Sequence, residues 1–241
     1  MTDDVLRICL WSGPRNVSTA VMYAFRERSD TSVVDEPLYA HYLATTGVEH
    51  PAVQDVIAAQ DTDGDSVVEN VILGPSPTPV RFFKNMAHHL GGIDRRFLDR
   101  VRNVILTRDP AEMLPSLVNQ VRSPTLDGTS LPQQVALLDD MLERSETPIV
   151  LESSALLDDP EGVLRQTCEL LGIPWDPAML SWPQGPKPED GVWAPHWYDS
   201  VHRSTGFDRA RQSKRDFPAR LKPLLAECAP LYARLAAHAL R

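Results

Sequence analysis

The residues of this sequence that can do chemistry gather at a few places. The first lies between an apolar run at 5–11 and an amphipathic stretch beginning at Ser18: Ser12-Gly13-Pro14-Arg15-Asn16-Val17-Ser18-Thr19. Small residues and a proline between a strand and a helix suit the cradling of a phosphate group. Gly13 lets the backbone approach a ligand, and the first amides of a helix have no partner within it. Ser18 and Thr19 add hydroxyl donors, and Arg15 adds a permanent charge with a planar fork of donors. The same residues also suit a plain strand-to-helix turn capped by Ser or Thr. They do not form the Gly-x-x-x-x-Gly-Lys-Ser/Thr loop of nucleotide triphosphatases: the Gly-Lys pair is missing, and Val17 stands where a glycine is expected.

Further polar groups follow the other apolar runs. Asp35-Glu36-Pro37 follows 32–34, Lys84-Asn85 follows 80–83, and Glu152-Ser153-Ser154 follows 148–151. Arg108-Asp109-Pro110 follows 101–106, and Ser116 lies eight residues beyond Arg108. In an open parallel sheet, ligands bind outside the carboxyl ends of the strands. Each group alone also suits a solvated strand end, but with the loop they are expected to converge on one crevice.

Those apolar runs are the elements that must hold the polar groups. Between them, residues 18–28, 110–120, 131–144 and 160–171 carry apolar side chains at three- and four-residue spacing, as helices do. Strands alternating with helices predict an α/β fold of the P-loop nucleotide-binding type. It is expected as three α/β/α layers around a mostly parallel sheet of about five strands. A single domain over 1–241 is expected, with a helical insertion at about 48–74 and a closing apolar helix over 218–240. Residues 182–206 are rich in Pro, Trp, His and Gly without periodicity. They suit either an aromatic lid and substrate wall or a loop packed back on the domain.

Composition narrows the function. The chain has 241 residues, 42% hydrophobic and 24% charged, the balance of a globular protein rather than a disordered one. A formal net charge of -9 argues against a general nucleic-acid binder, which needs a basic surface. An anionic small ligand must then be met by a local cluster of donors. No apolar stretch reaches the length of a membrane span, and the start Met-Thr-Asp-Asp has no basic or apolar leader. Cys9, Cys168 and Cys228 have neither disulfide nor metal-ligand spacing and are expected as small buried residues. The expectation is a cytoplasmic protein with no membrane or nucleic-acid partner. Its oligomeric state is not legible here.

These residues resemble the sulfotransferases that use 3′-phosphoadenosine 5′-phosphosulfate. Gly13-Pro14-Arg15-Asn16-Val17-Ser18-Thr19 looks like that family's loop for the 5′-phosphosulfate. Arg108 with Ser116 matches the Arg and Ser that hold the ribose 3′-phosphate. Asp35-Glu36-Pro37-Leu38-Tyr39 is similar to the Glu-Pro-Leu segment of carbohydrate-type members, and 149–174 looks like a later strand-helix segment. The chain departs from the cytosolic pattern in carrying Arg15 for a loop lysine and in lacking Lys-x-His after the third strand. It also lacks a late Arg-Lys-Gly grip on the 3′-phosphate, for which His202-Arg203-Ser204-Thr205-Gly206 is the candidate replacement.

The resemblance implies transfer of a sulfonate to a hydroxyl or amine of a small-molecule or carbohydrate-like acceptor, releasing 3′-phosphoadenosine 5′-phosphate. Catalysis is then mostly positioning and charge stabilisation, and requires no metal. Arg15, the helix-start amides, Ser18 and Thr19 hold the leaving phosphate, and Lys84 stabilises charge on the sulfonyl or bridging oxygens. Glu36 is the expected general base, with Asp35 as its hydrogen-bonding neighbour and His88 and His89 as competing bases. The rival readings are a phosphotransferase, which leaves Arg108 with Ser116 unexplained, and a non-catalytic nucleotide-binding protein.

Overall fold

The computed structural model describes residues 5–207 and 217–240. Five strands form one sheet: β1 (Leu6–Ser12), β2 (Thr31–Asp35), β3 (Val80–Met86), β4 (Arg102–Thr107) and β5 (Ile149–Glu152). Their order is β2-β3-β1-β4-β5, with helices flanking the sheet, and β2–β3 and β4–β5 pair in parallel. The expected α/β class with five strands is what folds. Ile8, Cys9, Leu10 and Trp11 are all fully buried, which is why the central strand is apolar without alternation over those four positions.

The helices follow the periodicity, with ends set by local chemistry. Pro160–Leu171 starts on the Asp159 carboxylate, which accepts from the Gly162 amide, and stops at Gly172, whose φ is 74°. Pro110–Leu117 has Asp109 as its cap and Pro110 in its first turn, but ends three residues short of the expected 120. Leu131–Glu143 matches its expected span to within one residue. The closing helix runs over Lys222–Ala236, preceded by a 3-10 turn at Ala219–Leu221, and is shorter than expected.

By the density of internal packing the chain falls into two compact units. The first comprises, among described residues, 5–10, 19–103 and 176–207. It contains the inserted helices Val53–Ala59 and Gly64–Val67 and a π-helical turn at Val68–Ile72. That turn is capped by Arg7, whose guanidinium donates to the carbonyls of Ile72, Leu73 and Gly74. Part of this unit's core joins Tyr39, Leu43 and Val56 to Trp193 and Tyr198. Residues 182–206 are thus anchored by buried aromatic side chains, and contain the short helices Ala194–Trp197 and Asp199–His202. The second unit comprises 11–18, 104–175 and 217–240, with a cluster of Met113, Leu114, Leu117 and Leu221. All three cysteines are buried and unbridged.

Candidate functional site

In the second unit, the loop after β1 is held in an unusual backbone shape. Arg15 and Val17 have φ of 62° and 59°, a region that non-glycine residues rarely enter. Positive-φ residues on either side of Asn16 bend this short loop sharply. The loop is fastened from beneath. Asn16 Nδ2 donates to the Leu106 carbonyl at 3.1 Å, and Ser153 Oγ bonds the carbonyls of Asn16 (3.0 Å) and Thr107 (2.9 Å). Gln134 Nε2 donates to Trp11 and Leu106 carbonyls at 3.0 and 2.7 Å. A Cβ at Gly13 would lie 2.6 Å from the Thr129 carbonyl oxygen. The glycine therefore makes room for the protein's own backbone.

The structure joins the loop to the other residues expected to bind phosphate. Arg15 Nε donates to Ser116 Oγ at 2.9 Å, and Arg108 Nη1 donates to the Arg15 carbonyl at 2.8 Å. Burial, and then the nearby Arg108 charge, push the Arg15 guanidinium below its ordinary pKa. Two cations partly withdrawn from water and repelling each other favour a bound anion. Asn16 Oδ1 and Thr107 Oγ1 are buried polar atoms without a hydrogen-bond partner beside this loop. Pro14 and Thr19 are half-buried and Ser18 is buried.

In the first unit, a buried ion cluster forms at the ends of β2 and β3. Lys84 is fully buried, and lies within β3 rather than after it as expected, in register with Asp35. The strand can continue through a lysine because each ammonium proton finds a partner. Nζ donates to Asp35 Oδ1 (2.9 Å), Glu36 Oε1 (2.5 Å) and the Tyr198 hydroxyl (2.5 Å). Tyr198 is saturated in turn: it donates to Asp35 Oδ2 at 2.7 Å and accepts from Lys84 and from Trp193 Nε1 at 3.1 Å. The Gly191 amide adds a third donor to Asp35, at 3.2 Å.

One ammonium against two carboxylates leaves the cluster with an excess negative charge. Burial would push Lys84 down, but Asp35 and Glu36 outweigh it and its pKa is raised. Glu36 is raised above its ordinary value by burial, with Asp35 adding to the rise and Lys84 opposing it. Its φ of 38° turns the chain out of β2, and its carbonyl accepts from Gln60 Nε2 at 3.1 Å. A buried carboxylate with a raised pKa beside a fixed cation is the environment of a general base.

Replacing Tyr198 by phenylalanine leaves N–H groups of Lys84 and Trp193 without their acceptor. The expected cost is about 1–3 kcal/mol, read as a lower midpoint in urea unfolding. A midpoint equal to the parent's would show that the hydroxyl does not support the cluster.

Other expected residues fall differently. His88 and His89 sit in a 3-10 turn, Ala87–Leu90, where His89 stacks on Tyr39 and Tyr42 with ring centroids 5.1 and 4.7 Å apart. Burial pushes the His88 imidazole down to about 3. Arg203 is exposed and pairs with Asp199. Asp190, which reads in sequence as part of a turn and nothing more, accepts from the Tyr23 hydroxyl and the Lys187 amide, and contacts His202 Nε2 at 2.9 Å. Gln134 carries no sequence signal, being a polar residue in the middle of an amphipathic helix. Among the described residues no group of three or more His, Cys, Asp or Glu is placed to hold a metal ion. None of their helices is long and apolar enough to cross a membrane.

With this geometry in view, comparison with known proteins assigns the class. The chain matches the Sulfotransferase domain family over residues 6–239, and it belongs to that family. It is 37% and 40% identical, over 229 residues, to "Branched-chain-amino-acid aminotransferase-like" proteins 2 and 1 of Arabidopsis thaliana. Those matches cover 95% of this chain but 41% of each relative, so the chain spans about two fifths of their length. Among solved structures it is similar to a sulfotransferase from Alicyclobacillus acidocaldarius, with TM-score 0.58 and 14% identity over 98% of this chain and 97% of that one. It is also similar to a sulfotransferase domain of the curacin biosynthetic pathway, with TM-score 0.52 and 15% identity over 93% and 98%. At such identities these structures speak to the fold alone.

Proposed function

We propose that the chain transfers a sulfonate group from 3′-phosphoadenosine 5′-phosphosulfate to a hydroxyl or amine of a small-molecule or carbohydrate-like acceptor. The observation that carries this reading is the direct linkage of Arg15, in the loop after β1, to Ser116 and Arg108. Two partly buried cations and a hydroxyl at one place suit a ligand with more than one anionic group. When bound, the donor supplies an activated sulfonate on a phosphate leaving group.

Arg15, Ser18, Thr19 and the loop amides hold the 5′-phosphate end, while Arg108 and Ser116 take the 3′-phosphate. Glu36 accepts the acceptor's proton as the new O–S or N–S bond forms and the bond to the phosphate oxygen breaks. Lys84 offsets the charge that develops on the transferred oxygens. Arg203, the remaining candidate for the 3′-phosphate, is exposed and pairs with Asp199. Three buried thiols, none in a disulfide, suit a reducing cytoplasm. The aminotransferase-like names of the plant relatives belong to longer proteins and are no part of this reading.

Calorimetric titration with adenosine 3′,5′-bisphosphate, beside ATP with Mg²⁺, tests the donor. The parent binds the bisphosphate, and Arg108→Ala weakens it about 10- to 100-fold, as expected for charge-assisted hydrogen bonds of about 1.5–3 kcal/mol. Binding of ATP with Mg²⁺ alone, or a variant equal to the parent, sinks the proposal.

A further inference from the structure

The helix Pro110–Leu117 carries a carboxylate where a phosphate site has least use for one. Glu112 is four residues after Arg108 and four before Ser116, so it lies between the two residues assigned to the 3′-phosphate. Its Oε2 accepts from Arg108 Nε at 3.3 Å and Nη2 at 3.2 Å, and Ser154 Oγ donates to the same oxygen at 3.4 Å. The Arg108 side chain is 13% exposed and that of Glu112 is 33% exposed.

Arg108 is thereby used on both edges. Nη1 rests on the Arg15 carbonyl, and the Nε–Nη2 edge faces Glu112. That second edge is the fork a phosphate takes up in a two-point contact. Glu112 and a 3′-phosphate therefore compete for the same donors, and they repel each other if both are close.

We propose that Glu112 is a specificity-determining residue that sets the affinity for the nucleotide's 3′-phosphate by competing with it for Arg108. This rests on the donor reading given above. The competition keeps Arg108 oriented when no nucleotide is bound. It also loosens the bisphosphate product, whose release ends each turnover. An engineered chain lacking this carboxylate holds its product longer.

The test is calorimetric binding of adenosine 3′,5′-bisphosphate and adenosine 5′-monophosphate to the parent, Glu112→Gln and Glu161→Gln. Glu161 pairs with Arg165 on an exposed helix face and controls for the loss of one negative charge. Glu112→Gln is expected to tighten bisphosphate binding about fivefold, the scale of one partly exposed ion pair. The monophosphate stays within about twofold of the parent, as do both nucleotides with Glu161→Gln. Bisphosphate binding that is unchanged or weaker in Glu112→Gln overturns the proposal. So does an equal shift for the two nucleotides, or an equal gain in Glu161→Gln. A parent that binds no bisphosphate removes the donor reading itself, and this inference with it.

Discussion

Glu36→Gln lowers the rate of sulfonate transfer by about 10²–10⁴, the usual worth of a positioned general base, while bisphosphate affinity stays within a few-fold of the parent's. Glutamine keeps the size of the side chain and an acceptor for Lys84, so the loss falls on proton transfer. The pH profile supplies an independent check. The base works only when deprotonated, and burial and Asp35 raise the Glu36 pKa above its ordinary 4.5. Activity in the parent is therefore lost as pH falls through a limb above that value, and the limb is absent from whatever rate the variant retains. A variant within tenfold of the parent, with its acid limb unchanged, moves the base to another group. The neighbouring histidines fit that role poorly, because His88 is pushed down to about 3 by burial and is a weak proton acceptor at neutral pH.

Lys84→Met is expected to destabilise the fold by about 3–5 kcal/mol, because it strands two buried carboxylates without their cation. For a chain of this size that is roughly 6–20 °C in melting temperature, at about 2–4 °C per kcal/mol. The sign of the pH dependence identifies the cause. In the parent, the raised Lys84 pKa contributes stability that is present below its ordinary 10.5 and lost as pH rises through the folded value. In the variant, Glu36 is raised by burial and by Asp35 with Lys84 no longer opposing, so it takes up a proton more readily than in the unfolded chain and the deficit shrinks as pH falls from 7 toward 5. Parallel melting curves over that range, with no narrowing, contradict this account and point to lost packing instead. Sulfonate transfer falls in the same variant, and measurement well below its melting point separates the two effects.

Much of this arrangement is legible in the sequence, for reasons that can be stated. β1 is visible because its buried stretch from Ile8 to Trp11 is apolar at every position, and the loop after it is bounded by that strand and by an amphipathic helix. Arg108 with Ser116 is visible through the family resemblance, which their position after a strand and their spacing support. Lys84 reads as lying beyond its strand because a buried lysine is expensive. Its partners come from 49 and 114 residues away, beyond the reach of local pattern. Tyr198 and Trp193 are visible as aromatic residues but not as hydrogen-bonding partners of that lysine. Glu112 is hidden for a different reason: a glutamate in the first helical turn is unremarkable, since the helix dipole favours it there whatever else it does.

The left-handed backbone at Arg15, Val17 and Glu36 also bears on how such a chain can change over time. Each position holds a side-chain-bearing residue in a conformation that costs it of order 1–3 kcal/mol and costs glycine much less. On backbone strain alone, selection for thermal robustness pulls these three codons toward glycine. At Arg15 and Glu36 that drift would remove a guanidinium and a carboxylate, and at Glu36 it would also take a buried partner from Lys84, which costs stability in turn. On the proposed function both side chains also serve the reaction, so consensus stabilisation of this fold has least freedom at the positions where its backbone is most strained.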